Sequence, residues 1–148
     1  MALILMRHGR AEPGPSGEKE LTAVGEKQAE DVAYQLFEAG YEVQLVLHSG
    51  KLRASQTAAI LAARIGHSAI VQHVAGLLPT DDVIDIANEI NRATVSVAVV
   101  GHMPHISNLL FHLTGVQDTP AFEAAAAMTL KKGAVDWEID EEFHPKLV

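Results

Sequence analysis

The stretch Leu3-Ile4-Leu5-Met6-Arg7-His8-Gly9-Arg10 decides the reading of the fold. Four consecutive apolar residues are the pattern of a short buried strand, and here they stop at an arginine, a histidine and a glycine. In an open α/β sheet, ligands bind in the crevice outside the carboxyl ends of the strands. The octapeptide therefore predicts a strand that delivers Arg7, His8 and Gly9 to a binding crevice. Gly9, lacking a side chain, is expected to let a ligand approach the backbone.

Two later stretches end in the same manner. Val43 to Leu47 reads as a strand ending in His48-Ser49-Gly50, and a helix follows, with Arg53 near its start and Gly66 at its end. Val95 to Val100 is nearly all β-branched, the mark of a strand buried on both faces, and it ends in Gly101-His102-Met103-Pro104. Pro104 suits the first position of the next helix, which carries Ile106, Leu109, Leu110 and Leu113 and stops at Gly115.

Between these landmarks the periodicity is helical. Thr22 is a plausible N-cap, Ala29, Val32, Ala33, Leu36 and Phe37 form one apolar face, and Gly40 stops that helix. Glu26, Glu30, Asp31 and Glu38 form its solvated face. Ile70 to Val74 reads as a third strand. The next helix buries Val83, Ile86, Ala87 and Ile90, with Thr80 or Asp81 as its cap. Residues 9 to 20 are rich in Gly, Pro and charge and read as a loop. Ala124 to Leu130 and Ala134 to Ile139 flank Lys131-Lys132-Gly133 as a terminal hairpin, with a helical alternative for Ala124 to Ala127. Glu141 to Val148 reads as a tail. Strands alternating with helices imply right-handed crossovers and a mainly parallel sheet, so the fold class is α/β with an antiparallel edge.

At 148 residues the chain is expected to be one domain, residues 1–148. It has no cysteine, which removes disulfides and thiolate metal sites. No apolar run reaches the length of a membrane span, and Arg7 comes too early for a signal peptide, so a cytoplasmic protein with no membrane partner is expected. The net charge of −8 argues against general nucleic-acid binding. It leaves room for an anionic substrate, because a few converging arginines make a local positive pocket.

In a parallel sheet the three strand ends share one edge, bringing together Arg7, His8, Arg53 and His102. That set fits a phosphoryl group. Guanidinium forks from Arg7 and Arg53 match its oxygens and stabilise charge in the transition state. His8, kept neutral by its cationic neighbours, can attack phosphorus, and His102 can donate a hydrogen bond or a positive charge to the same oxygens. The helix starting near Lys51 adds backbone N–H donors. Ser49 either bonds phosphate or turns the loop. His48 lies close enough to touch substrate, while Arg10 and Lys51 either extend the positive rim or are simply exposed. His102 and His105 have the spacing of a metal pair but no specified further ligands, so neither a metal nor a cofactor is expected.

Leu5-Met6-Arg7-His8-Gly9 resembles the Arg-His-Gly signature of the histidine phosphatase (phosphoglycerate mutase-like) superfamily. Three further blocks resemble that family in order: Leu21-Thr22-Ala23-Val24-Gly25-Glu26-Lys27-Gln28-Ala29, Leu52-Arg53-Ala54-Ser55-Gln56-Thr57-Ala58, and Val99-Val100-Gly101-His102-Met103-Pro104. The resemblance implies a three-layer α/β/α sandwich with a mainly parallel central sheet. It also implies a phosphohistidine intermediate, mapping the nucleophile onto His8, phosphate binding onto Arg7 and Arg53, and the second histidine onto His102. The short length and the Gly-His-x-Pro-His opening of the fourth helix are similar to the small SixA-type branch, which removes phosphate from phosphohistidine on signalling proteins. The expected partner is a phosphorylated protein or a small phosphorylated molecule.

Two departures stand out. Ser49-Gly50 replaces the Ser-Pro common in the family, which predicts a less rigid loop before Arg53. No insert follows the third strand to supply a glutamate general acid. Asp81 and Asp82 are the nearest carboxylates, and Asp81 serves equally well as a helix cap. The alternatives are a small-molecule phosphomonoesterase of the same superfamily and a phosphate-binding regulatory module without turnover.

Overall fold

In chain order the elements are β1 (Leu3–Arg7), β2 (Ala11–Pro13), β3 (Lys19–Leu21), α1 (Ala23–Glu38), β4 (Leu45–His48), α2 (Leu52–Ile65), β5 (Ile70–His73), α3 (Ile84–Arg92), β6 (Val97–Gly101), α4 (His105–Thr114), β7 (Ala127–Lys132) and β8 (Trp137–Phe143). The structure, a computed structural model, describes residues 1–146.

Six strands form one sheet in the order β5-β4-β6-β1-β7-β8. The first four run parallel, and β7 and β8 add the antiparallel edge. Successive side chains of a strand point to opposite faces, and each face here has its own core. Leu3 and Leu5 of β1 and Val97 and Val99 of β6 join Ile86 and Ile90 of α3 and Ile106, Leu109 and Leu110 of α4. Ile4 and Met6 of β1 and Ala98 and Val100 of β6 join Val32 and Leu36 of α1 and Ala58 and Leu61 of α2. The result is an α/β/α sandwich. The central strands β1 and β6 are buried on both sides, which is why their sequences are unbroken apolar runs.

Thr22 caps α1, its hydroxyl accepting from Gly25 N at 3.0 Å. Gly115 ends α4 in the left-handed conformation, φ 72°.

The structure departs from the sequence reading at several places. The loop of residues 9 to 20 contains a small antiparallel hairpin, β2 paired with β3. Its strands are too short and polar to register as a hydrophobic pattern. Phe37 is half-exposed rather than part of the apolar face of α1. β4 begins at Leu45 rather than Val43, and β6 at Val97 rather than Val95, which is exposed. β5 is exposed along its length because it is the sheet edge.

Neither Thr80 nor Asp81 caps α3. Val83 occupies the cap position, and the carboxylates turn the preceding loop: Leu78 N donates to Asp81 Oδ2 at 2.9 Å and Ile84 N to Asp82 Oδ1 at 2.8 Å. Pro104 is the residue before α4 rather than its first residue. Ala124 to Ala126 are neither helix nor strand, and β7 starts at Ala127. Of the expected tail, Glu141 to Phe143 belong to β8, while Leu147 and Val148 lie outside the described residues.

Candidate active site

Parallel pairing aligns the strand ends that carry the polar residues. Arg7 is in register with Gly101, and His48 with Val100. His8 N donates to Gly101 O at 3.0 Å, so the β1 and β6 ends remain locked together past the last paired residue. The His8 and His102 rings then lie 5.0 Å apart between centroids, tilted by 57°. Together with Arg7, on β1, and Arg53, in the first turn of α2, they line a cleft of ≈ 320 Å³. The four residues that the sequence nominates thus meet at one place.

The environment of His8 suits a nucleophile. Nδ1 lies 2.7 Å from the carbonyl of Gly9, an acceptor only, so Nδ1 carries the ring proton and donates it there. Nε2 is then the basic nitrogen of the neutral ring. Burial, joined by the positive charges of Arg53, Arg7 and Lys19, pushes the pKa of His8 down to about 4 against the pull of the Gly9 hydrogen bond. The neutral form therefore dominates at pH 7.

His102 is buried, and its Nε2 lies 2.6 Å from Ser49 Oγ. Burial, then the nearby His8 and Arg53, push its pKa down to about 3. Of the two roles expected of His102, this favours the hydrogen-bond donor over the cation. When Ser49 donates to Nε2, the ring proton sits on Nδ1, which is buried without a hydrogen-bond partner. Arg7 is clamped by one bond, Nη1 donating to Phe122 O at 2.9 Å, while its Nε is buried and unpartnered. Burial lowers the pKa of Arg7 as well, but a guanidinium starts so high that its charge is retained. Two guanidinium groups and a second histidine meeting at one cleft make an anion cradle.

The segment carrying His8 is held from several sides. Gly9 N donates to Thr57 Oγ1 at 3.1 Å, Arg10 N to Gln28 Oε1 at 3.1 Å, and Leu21 N to Gln56 Oε1 at 2.8 Å. Gly25, Gln28, Gln56 and Thr57 lie in the family-like blocks of the sequence. Each fixes the loop that carries His8 or the hairpin that follows it. Ala125 N donates to His8 O at 3.0 Å, and Ala125 takes φ 63°, a left-handed conformation unusual for a residue with a side chain. Lys19 lines the cleft from β3, and a lysine in a polar loop carries no signal of this in the sequence.

Gly9 lines the cleft, and packing also requires a glycine there. A Cβ there would stand 2.5 Å from Gly25 O, and one on Gly25 would stand 2.0 Å from Arg10 O. The missing side chains let the loop that carries His8 pack on α1.

Other nominated residues sit beside the cleft. Ser49 is buried and holds His102. It also accepts from Lys51 N at 3.3 Å, so it orients the second histidine and turns the loop. Gly50 has φ 86°, which proline cannot adopt, and a Cβ there would meet the His73 ring. Its N–H donates to His48 Nδ1 at 3.1 Å, so the loop is tied down without the proline. His48 is buried and stacks on His73, 6.0 Å between centroids, instead of lining the cleft. Lys51 is exposed outside it, Arg10 lines it, and His105 is fully buried at the start of α4. Asp81 is outside the cleft wall, which Pro79 forms on that side, and among the described residues no carboxylate lines the cleft. Among the described residues, no group of three or more His, Cys, Asp or Glu side chains is arranged to hold a metal ion. Likewise, no helix of the described residues is long and apolar enough to cross a membrane.

A strand end carrying Arg-His-Gly, a second arginine on the next helix but one and a second histidine facing the first define a phosphoryl-handling site. The histidine phosphatase superfamily (branch 1) matches residues 3–77, just over half of the chain, and the chain belongs to that superfamily. Its fold is similar to that of the protein histidine phosphatase SixA complexed with tungstate, with 24% identity over 98% of this chain and 97% of that one, TM-score 0.88. A candidate phosphohistidine phosphatase SixA from Agrobacterium tumefaciens is similar at 19% identity over 97% of each chain, TM-score 0.81. A mycobacterial glucosyl-3-phosphoglycerate phosphatase in complex with VO3 is similar at 17% identity, covering 95% of this chain and 97% of that one, TM-score 0.70. No curated protein matches the sequence.

Proposed function

We propose that the protein is a metal-independent phosphohistidine phosphatase that acts on a signalling protein through a covalent phospho-His8 intermediate. The observation that carries this reading is the state of His8: neutral, its proton held on Nδ1 by the Gly9 carbonyl, and sharing one cleft with Arg7 and Arg53.

In the first step Nε2 of His8 attacks phosphorus, and the P–N bond of the substrate breaks. The electron pair stays on the leaving imidazole, which departs neutral because its other ring nitrogen holds a proton. The positive charge that develops on the His8 ring is stabilised by the Gly9 carbonyl. Arg7, Arg53 and His102 hold the equatorial oxygens. In the second step water attacks phosphorus, the P–Nε2 bond breaks, and His8 returns to its neutral form as inorganic phosphate leaves.

The lining of the cleft supports the substrate class. No described carboxylate faces the reaction, so leaving-group protonation has no obvious donor. Imidazole needs less such help than a sugar alkoxide. The likeness of fold to glucosyl-3-phosphoglycerate phosphatase favours a second reading, a small-molecule phosphomonoesterase using the same residues. Rates on a phosphohistidine protein and on sugar phosphates separate the two, and a marked preference for sugar phosphates overturns the first. With either substrate, His8→Ala is expected to abolish turnover and EDTA to leave it intact. Retained activity in His8→Ala refutes the mechanism.

A further inference from the structure

The cleft is lined by two cations beyond Arg7 and Arg53, namely Arg10 and Lys19. Arg7 and Arg53 answer the two negative charges of the phosphoryl group. Arg10, on the rim, lies 3.8 Å from Glu12. Lys19 lines the same cleft, and among the described residues its side chain makes no hydrogen bond or ion pair. It stands near enough to His8 for its charge to be felt there.

The backbone that presents Lys19 is anchored. The neighbouring Glu18 reaches to α2, where its Oε2 accepts from Leu52 N at 2.7 Å. Leu52 is the first residue of α2 and precedes Arg53, and α2 has no side-chain cap of its own. Glu18 therefore satisfies an open N–H at the helix start, and a carboxylate is favoured at that end. On the other side of Lys19, Leu21 N is held by Gln56. Lys19 is thus presented by a strand tied at both ends to the helix that carries Arg53.

We propose that Lys19 is a specificity residue that selects substrates bearing a second anionic group, such as an acidic side chain next to the phosphorylated one. This rests on the phosphatase reading above and refines the substrate class it takes. Lys19 contacts the flanking carboxylate, and the transferred phosphoryl group remains the business of Arg7 and Arg53. The effect falls on KM more than on kcat, because the flanking charge does not change during reaction.

The test compares wild type, Lys19→Gln, Lys19→Arg and Lys19→Glu on two substrate pairs. One pair is phosphohistidine peptides with Glu or Gln beside the phosphorylated residue. The other is 3-phosphoglycerate and glycerol 3-phosphate, which differ in a carboxylate. Wild type is expected to prefer the acidic member in kcat/KM by about two- to fivefold, the range of a solvent-exposed charge pair. The preference disappears in Lys19→Gln, persists in Lys19→Arg, reverses in Lys19→Glu, and shrinks with added salt. No preference in wild type, or an equal loss on both members in Lys19→Gln, overturns the proposal. Turnover of phosphomonoesters alone refutes the phosphohistidine reading, while the ratio within that pair still decides the role of Lys19. Calorimetric affinities for the same pairs supply the ratio where turnover is absent.

Discussion

Gly25→Ala sets two physical effects against each other. Gly25 lies in the first turn of α1 and is buried. By helix propensity alone, alanine there stabilises the helix by about 1 kcal/mol. The tertiary contact opposes it. The new Cβ would stand 2.0 Å from Arg10 O and 2.9 Å from Arg10 C and N, all backbone atoms with no rotamer to escape into. Ordinary contact is roughly 3.5 Å, so the loop and helix must part by about 1.5 Å. Overpacking of this kind costs about 1–3 kcal/mol, so the net change is a destabilisation of about 0–2 kcal/mol. Activity suffers more, because the displaced loop carries His8 two residues before Arg10. A shift near 1 Å in a reacting group costs on the order of 100-fold in kcat/KM. Urea unfolding gives the first quantity and steady-state kinetics with a phosphohistidine peptide the second. An alanine variant more stable than wild type, with unchanged kcat/KM, refutes the claim that the Gly25–Arg10 contact positions His8.

Two further predictions concern protons. Since the pKa of His8 is held at about 4 rather than 6.5, kcat/KM is expected to keep a neutral nucleophile well below pH 6, after correction for spontaneous loss of phosphate; an acid limb at 6 to 7 contradicts it. The same shift carries a sign for stability. Folded His8 and His102 resist protonation, with pKa values of about 4 and 3, whereas the unfolded chain takes up protons near 6.5. Stability present above pH 6.5 is therefore lost as pH falls through that window, which unfolding curves between pH 7 and 4 measure. Asp81→Asn is expected to change kcat by less than about twofold, because Asp81 bonds Leu78 N outside the cleft and the amide oxygen can still accept that bond. A large loss of kcat with KM preserved restores Asp81 as a general acid.

Residue pattern alone determined much about this protein. Unbroken apolar runs ending in Arg7-His8-Gly9 and Gly101-His102 can satisfy burial on both faces only at the centre of a parallel sheet, and parallel pairing then brings their ends together. The sandwich and the grouping of Arg7, His8, Arg53 and His102 follow from that. Other features depended on distance in space, which local pattern does not encode. The β2–β3 hairpin is held by hydrogen bonds to α2 rather than by apolar alternation, so Lys19 on the cleft was invisible. Ser49 became the partner of His102 because β4 and β6 are neighbours. Asp81 fell outside the cleft because the loop before α3 folds its carboxylate back onto Leu78.

The opening octapeptide shows the division well. Its apolar half and its Arg-His-Gly end announced a strand and a site. Only the tertiary structure decided which nitrogen of His8 is basic, through the Gly9 carbonyl, and why Gly9 is glycine, through Gly25. Hydrophobic periodicity is written in the order of residues. Tautomer and close backbone approach are set by atoms that folding brings within 3 Å of one another.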